Sequence, residues 1–343
     1  MNKNLLFIGI VLTFMLMGCS QQKERPKGSL DVIYVLSSDS TWNKLETAID
    51  TCFSQYGIRT PEFQRFFHVN WYSINKLRVF AHYRNLVVIA DLSKKGLGRN
   101  LAERILPPDH LELAKQDSVN IFSIDDHYAR DQVFLLIAGT DMKKLEQAII
   151  DRKDWIYSKF SKHYRERLKN RFYDNREKKS LARVYYDKYE WLVRIPKKFI
   201  PIMDAPDSNF VWLGADLPFR WFSVTWEEGM NTKLMTPNGM MEKRQEIGSY
   251  YGDVRSDTTF LSHYYTRLND WDALKMNGLW FSREMAKGGP FLSYAFYDSH
   301  TDRTFLLDML IYDPSFEKLT DYYRELEIMA KTFSTQYTSD YFK

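Results

Sequence analysis

The stretch PFLSYAFYDSHTDRTFLLDMLIYDP, residues 290–314, packs two strand signals, a turn and a helix start into 25 positions. Residues 291–297 and 304–312 are dense in aromatic and branched aliphatic side chains, which favour a pleated, half-buried surface. Between them Asp298-Ser299-His300-Thr301-Asp302 supplies the short polar side chains that close a turn. Asp313-Pro314 then opens a helix, with proline where its missing N–H costs nothing. Phe316, Leu319, Tyr323, Leu326, Met329 and Phe333 follow at the three-to-four spacing of one helical face.

The same ending occurs earlier. Residues 119–124 and 132–138 read as strands around a polar turn, and a helix starts at Thr140 or Asp141. Leu145, Ile149, Ile156, Phe160, Tyr164 and Leu168 carry its stripe past residue 165. A hairpin followed by a long amphipathic helix thus closes each half. The expected class is α+β, with two related sheet-plus-helix domains at 30–170 and 189–336, a basic connector at 171–188 and a tail at 337–343. In the first half LDVIYVL, residues 30–36, reads as a buried strand, and Asp39 or Ser40 can cap the helix after it. Leu86 to Ala90 is a second buried strand. It leads through Ser93-Lys94-Lys95-Gly96-Leu97-Gly98 into a helix at 99–105, stopped by Pro107-Pro108. In the second half, strands are expected near 209–214 and 220–227, with a helix at 237–247. Residues 189–195 also read as extended.

The 343 residues are 44% hydrophobic and 27% charged, with a net charge of +4. That profile is globular, and the charge is too mild to imply nucleic acid. The N-terminus reads differently. An apolar run from Leu5 to Gly18 spans about 14 residues, or about 21 Å as a helix. This falls short of a hydrocarbon core of about 30 Å, and fits the central region of a signal peptide at 1–18. The run ends in Leu16-Met17-Gly18-Cys19, and 19–29 is polar with Pro and Gly, the composition of a flexible tether. Through its resemblance to the lipobox of bacterial lipoproteins, Leu16-Met17-Gly18-Cys19 implies Cys19 as the lipidation site. Cys52 is then the only other cysteine, so no internal disulfide can form. It sits on an apolar helical face and reads as a small buried hydrophobe.

Leu16-Met17-Gly18-Cys19 resembles the lipobox of bacterial lipoproteins. Together with SSDSTW (37–42), GPFLSYAFYD (289–298) and DRTFLLDMLIYDP (302–314), it resembles an uncharacterised envelope lipoprotein family, a domain of unknown function. From WLVRIPKKF (191–199) onward the chain is also similar to the PsbP/Mog1 type of α/β/α sandwich. The first resemblance implies an envelope lipoprotein, and the second a fold used for binding and assembly. Neither brings catalytic residues. By resemblance to sorted Gram-negative lipoproteins, Ser20 in place of aspartate and the lack of an acidic cluster imply outer-membrane anchoring, facing the periplasm.

Nucleophile elbow, zinc-protease, CxxC and P-loop signatures are missing, so neither an enzyme nor a small-molecule cofactor is expected. Gly96-Leu97-Gly98 lacks the third glycine of a dinucleotide loop, where Leu101 stands, and reads as a plain βα loop. Asp125-Asp126-His127 and Asp298-Ser299-His300, with Asp302, place carboxylate beside imidazole. They are weak metal candidates, because the same residues make ordinary turns. Residues 152–183 hold about twelve Lys/Arg against about four acids. Arg152, Lys153, Lys159, Lys162, Arg165, Arg167, Lys169 and Arg171 form a candidate patch for anionic headgroups or an acidic protein partner. Trp271 and Trp280, beside Asn269-Asp270 and Asn277-Gly278, are the expected exposed pair for stacking on a glycan or small ligand. The expected function is a lipid-anchored, non-enzymatic protein that binds an envelope partner as an accessory or assembly factor, with ligand binding through the tryptophans as the alternative.

Overall fold

The structure is a computed structural model that describes residues 23–174, 176–315, 317–337 and 339–342. The expected signal peptide, Cys19 and Phe316 lie outside these. The chain forms two compact units. One takes in the residues up to Phe53 together with His68–Phe160, and the other takes in Ser54–Phe67 and Ser161–Lys343.

The first unit is built on five strands: β1 (Val32–Ser37), β4 (His68–Ser73), β5 (Asn85–Asp91), β6 (Ile121–Ser123) and β7 (Val133–Gly139). Their order is β4-β1-β5-β7-β6, all parallel except β6, which runs antiparallel to β7. The near-continuous apolar runs of β5 and β7 are what a parallel sheet covered on both faces requires, and both strands are buried almost throughout. Gly98, at the start of helix Leu97–Ile105, lies so close to the sheet that a Cβ there would meet the Ala90 Cα at 3.4 Å.

The second unit carries a seven-stranded antiparallel sheet of β8 (Ile200–Ala205), β9 (Phe210–Ala215), β10 (Phe219–Glu228), β11 (Arg255–Leu268), β12 (Trp271–Ser282), β13 (Lys287–Asp298) and β14 (Arg303–Tyr312), in the order β11-β12-β13-β14-β10-β9-β8. Helices Lys179–Tyr189 and Leu319–Ala330 contribute to the core on one face. Helix Pro237–Ile247 contributes to the core on the other. A small ribbon, β2 (Gly57–Ile58) with β3 (Gln64–Arg65), also belongs here. Phe66 and Phe67 bring it in, with Arg324 lying 4.0 Å and 4.9 Å from their ring centres.

The shared ending is present. β6 and β7 are followed by helix Met142–Asp151, and β13 and β14 by helix Leu319–Ala330. The likeness stops there, since one ending closes a mostly parallel sheet and the other an antiparallel one. Several boundaries move. The first ending's helix breaks at Arg152 and resumes as Lys153–Tyr173. The last helix starts at Leu319, not Pro314, because Asp313 folds its carboxylate back onto the amide and hydroxyl of Ser315. The 171–188 segment is no separate connector, as Ala182, Tyr185 and Tyr189 are core residues of the second unit. Residues 189–195 make an isolated bridge, Leu192 to Ser334, in place of a strand. The expected tail ends in a short helix, Ser339–Phe342, with Phe342 stacked on Tyr337. Within the expected 19–29 tether, described residues join the fold. Lys27 bridges to Tyr83, and Pro26 is buried.

Two charged pairs are buried in the second unit, and a third joins buried Lys275 to a partly exposed Glu327. Arg244 donates to Asp308 at 2.7 Å, Lys275 to Glu327 at 2.7 Å, and Arg220 to Glu325 at 2.5 Å. Burial raises the Glu327 carboxyl, but the Lys275 and Lys331 ammonium groups outweigh it and hold the carboxyl down at about 2. Two residues away burial wins, and Glu325 is raised despite Arg220. The Glu327 pair therefore contributes fully above the unfolded carboxyl value of about 4.3, and its contribution is lost as pH falls toward 2. Lys275→Met is expected to cost about 1.5–3 kcal/mol at neutral pH, because it removes the charged partner of a partly buried Glu327. In urea unfolding, the gap between the variant and the wild type should narrow as pH falls, starting at or above about 4.3, where Glu327 of the variant takes up its proton, and ending at about 2. A gap that holds constant would show that the pair does not titrate this way.

Candidate functional site

In the first unit the chain leaves β1 toward β4 on one side, while β5 lies on the other. Where strand order reverses in this way, the loops beyond the carboxyl ends part and leave a crevice. Here it is a cavity of about 170 Å³, lined by Ser38, Ser40 and Thr41 from the loop after β1, and by Asp91 and residues 94–99 from the loop after β5. Ser38 caps helix Asp39–Ser54, in place of the expected Asp39 or Ser40. Its carbonyl accepts from Trp42 N at 2.9 Å, and its hydroxyl lies 2.8 Å from that of Thr41. Trp71, stacked on Trp42, fixes the preceding turn by donating to Ser37 Oγ at 2.9 Å.

The other wall begins at Gly96, whose φ of +156° suits glycine and around which a Cβ would meet nothing within 4 Å. No side chain caps helix Leu97–Ile105. Asp91 is the one acid of the lining, and Lys94 lies 3.4 Å from it. Arg99 donates to Leu92 O and pairs with Glu103 at 2.7 Å. With Lys95, the lining carries more positive than negative charge, and two helix N-termini add to this. At about 170 Å³ the space is below the roughly 300–1,000 Å³ of drug-sized sites, so it suits a small anionic group and not a dinucleotide.

The residues singled out in the sequence do not converge on this crevice. The basic stretch crosses from one unit to the other after Phe160. Arg152, Lys153 and Lys159 belong to the first, and Lys162, Arg165, Arg167, Lys169 and Arg171 to the second. Lys159 pairs with Asp125 at 2.9 Å, Arg171 pairs with Asp321 at 2.7 Å, and Arg165 donates to Ser161. Arg152, Lys162 and Lys169 are exposed, and Lys153 and Arg167 are half-buried.

The two Asp-x-His turns lie in different units. His127 packs between Tyr128 and Phe134, and burial, then Lys23 and Arg104, lowers its pKa. Asp298 accepts from Trp271 Nε1, Thr301 and the His300 amide, bonds that outweigh burial and lower its pKa. Asp302 accepts from Tyr297. Among the described residues, no three His, Cys, Asp or Glu side chains are grouped to hold a metal.

The tryptophan pair is not an exposed platform. Trp280 is 1% exposed and donates to Ile311 O at 3.0 Å, and half-buried Trp271 stacks on Phe296. A sheet covered on both faces buries both parities of its strands, so a neighbouring Asn-Gly does not bring Trp280 to the surface.

Residues 27–173 match the family model described as a domain of unknown function, DUF8532, and residues 178–332 match another, DUF4837. The chain carries two domains of unknown function in tandem. No curated protein matches it. Among solved structures it is similar to a protein from Bacteroides thetaiotaomicron VPI-5482, at 9% identity and a TM-score of 0.25, over 43% of this chain and 45% of that one. The chain thus spans less than half of that structure. It is also similar to the Saccharomyces cerevisiae Ran-binding protein Mog1p, at 11% identity and a TM-score of 0.31, over 43% of this chain and 90% of that one. A mutant of Mog1 gives 12% identity and a TM-score of 0.30, over 45% and 94%.

Cys52 lies on the buried face of helix Asp39–Ser54, and burial pushes its thiol up to about 12. At pH 7 the folded protein is expected to leave the Cys52 peptide unlabelled by maleimide, with full labelling in denaturant. Rapid labelling of the folded chain, read by mass spectrometry, would contradict this placement.

Proposed function

We propose that this is an exported, lipid-anchored envelope protein that works by binding, not catalysis. It joins a partner protein as an accessory or assembly factor of an outer-membrane complex, facing the periplasm. The anchor rests on the short apolar run ending in Leu16-Met17-Gly18-Cys19. Among the described residues, no helix is long and apolar enough to cross a membrane.

One observation carries the partner: the open edge at β11. An edge strand presents unpaired backbone groups to any chain that can lie beside it, and proteins blunt such edges with proline or bulges. The opposite edge, β8, has both, with Pro201 and an irregular register between Pro201 and Met203. β11 is irregular only between Asp257 and Ser262, and from Ser262 to Leu268 it pairs without interruption. That leaves about 23 Å of regular edge at 3.3 Å per residue. Tyr264 and Tyr265, 47% and 70% exposed, stand on it. An extended segment of a partner would gain backbone hydrogen bonds there and aromatic contacts on both faces.

In-cell crosslinking followed by detergent extraction should recover one stoichiometric envelope protein. Replacing Tyr265, 70% exposed, with glutamate should sharply reduce recovery while leaving urea unfolding close to that of the wild type. Recovery of the protein alone from wild-type cells would sink the partner reading. A second reading follows from the crevice, whose size and charge favour a small ligand bearing phosphate or carboxylate. The tryptophans no longer support a glycan platform.

A further inference from the structure

We propose that the amino edge of the first unit's parallel sheet rests against an anionic phospholipid surface, so that the crevice at the carboxyl edge faces away from the bilayer. This rests on the reading of Cys19 as the lipid anchor. From Glu24 on, the chain is fastened to the fold. Arg130 donates its amide to Glu24 O at 3.0 Å, Lys27 donates to His82 O at 2.8 Å, and Arg84 donates to Lys27 O at 2.9 Å. Gly28 secures the clamp. Its φ is +84°, and a Cβ would lie 2.6 Å from the Tyr83 ring, so only hydrogen fits.

All three fastening points lie on one edge. Residues 24–28 precede β1, His82 to Arg84 precede β5, and Arg130 precedes β7. These strands are parallel, so their amino ends lie together. The crevice lies past their carboxyl ends, about 22 Å away along a seven-residue strand.

Length then decides the orientation. Five residue steps separate Cys19 from Glu24, a reach of at most about 18 Å when fully extended. A compact unit of this size has a radius of gyration near 14 Å, so its width exceeds that reach. The anchor therefore does not allow the unit to turn its carboxyl edge to the lipid. Charge favours the same pose. Lys23, Arg25, Lys27 and Arg130 are exposed around the fastening points, against Glu24, Asp126 and Asp131, while the neighbouring Asp125 is paired with Lys159. Each Lys or Arg at an anionic headgroup contributes about 1 kcal/mol, so these side chains bias a pose that the tether imposes.

The test places the acylated full-length protein in phosphatidylethanolamine/phosphatidylglycerol vesicles carrying a headgroup quencher. A dye is attached through Arg130→Cys in one sample and through Lys95→Cys in another. Strong quenching is expected from position 130 and little from position 95. A 20-residue Gly/Ser insertion between Gln22 and Lys23, with a span of about 25 Å, should remove the difference. Equal quenching at both positions in the uninserted chain would overturn the orientation, and a difference that survives the insertion would overturn the tether argument. The mass of the N-terminal peptide separates the two readings. A Cys19 without acyl chains sinks the anchor itself, whereas an acylated Cys19 with equal quenching sinks only the orientation.

Discussion

A seven-stranded sheet with helices on both faces must bury the side chains of both parities on its central strands. Most of the second unit follows from this constraint. On β10, Trp221 packs into one core and Trp226 into the other, and both are nearly inaccessible. Polar residues on these strands are buried with them and have to find partners inside. Asp308, in the middle of β14, meets Arg244 from helix Pro237–Ile247 on one face. Arg220 and Lys275 meet Glu325 and Glu327 of helix Leu319–Ala330 on the other. Such pairs fix register more than they stabilise, since an apolar replacement of both partners is often no worse. A helix that slid by one turn would leave a charge unmatched in the core.

The first unit meets a different constraint. Its strands run mostly parallel, so each pair needs a crossover, and the crossover loops gather at the two ends of the sheet. One end is closed by backbone bonds from residues 24–28. The other is left open between the loops after β1 and β5, where Ser38 and Gly96 start two helices. Ordering one end and opening the other is a division of labour that the antiparallel unit, with its hairpins, does not share.

Legibility in the sequence followed the strength of local signals. The 290–314 ending stood out because proline, a polar turn and two apolar runs agree on one reading. β5 and β7 were visible as uninterrupted apolar runs. β4, with His68 and Asn70 among its six residues, and β11, mostly polar and exposed, carry no such pattern, because one edge of each strand has no neighbour. The Asn269-Asp270 turn, with Asn269 at φ +53°, was a hairpin signal joining β11 to β12 and was available to be read. The crevice was half legible. Both of its loops, SSDSTW and Ser93 to Gly98, carry local capping and turn signals, but their meeting depends on strand order, which no local spacing encodes. Trp280 failed for a related reason, as its burial is decided by helix Pro237–Ile247, some 35 positions earlier in the chain.

The clamp at Gly28 also sets an order in time. Its partners, His82 to Arg84 and Arg130, emerge some fifty to one hundred residues after it during synthesis. Until they arrive, residues 24–28 belong to an unfastened chain whose backbone groups bond to water. Once β5 and β7 take their places, residues 24–28 are drawn onto the sheet edge and bonded there. The amino edge of the first unit is therefore closed only by contacts of long sequence separation, which are the slow ones to make.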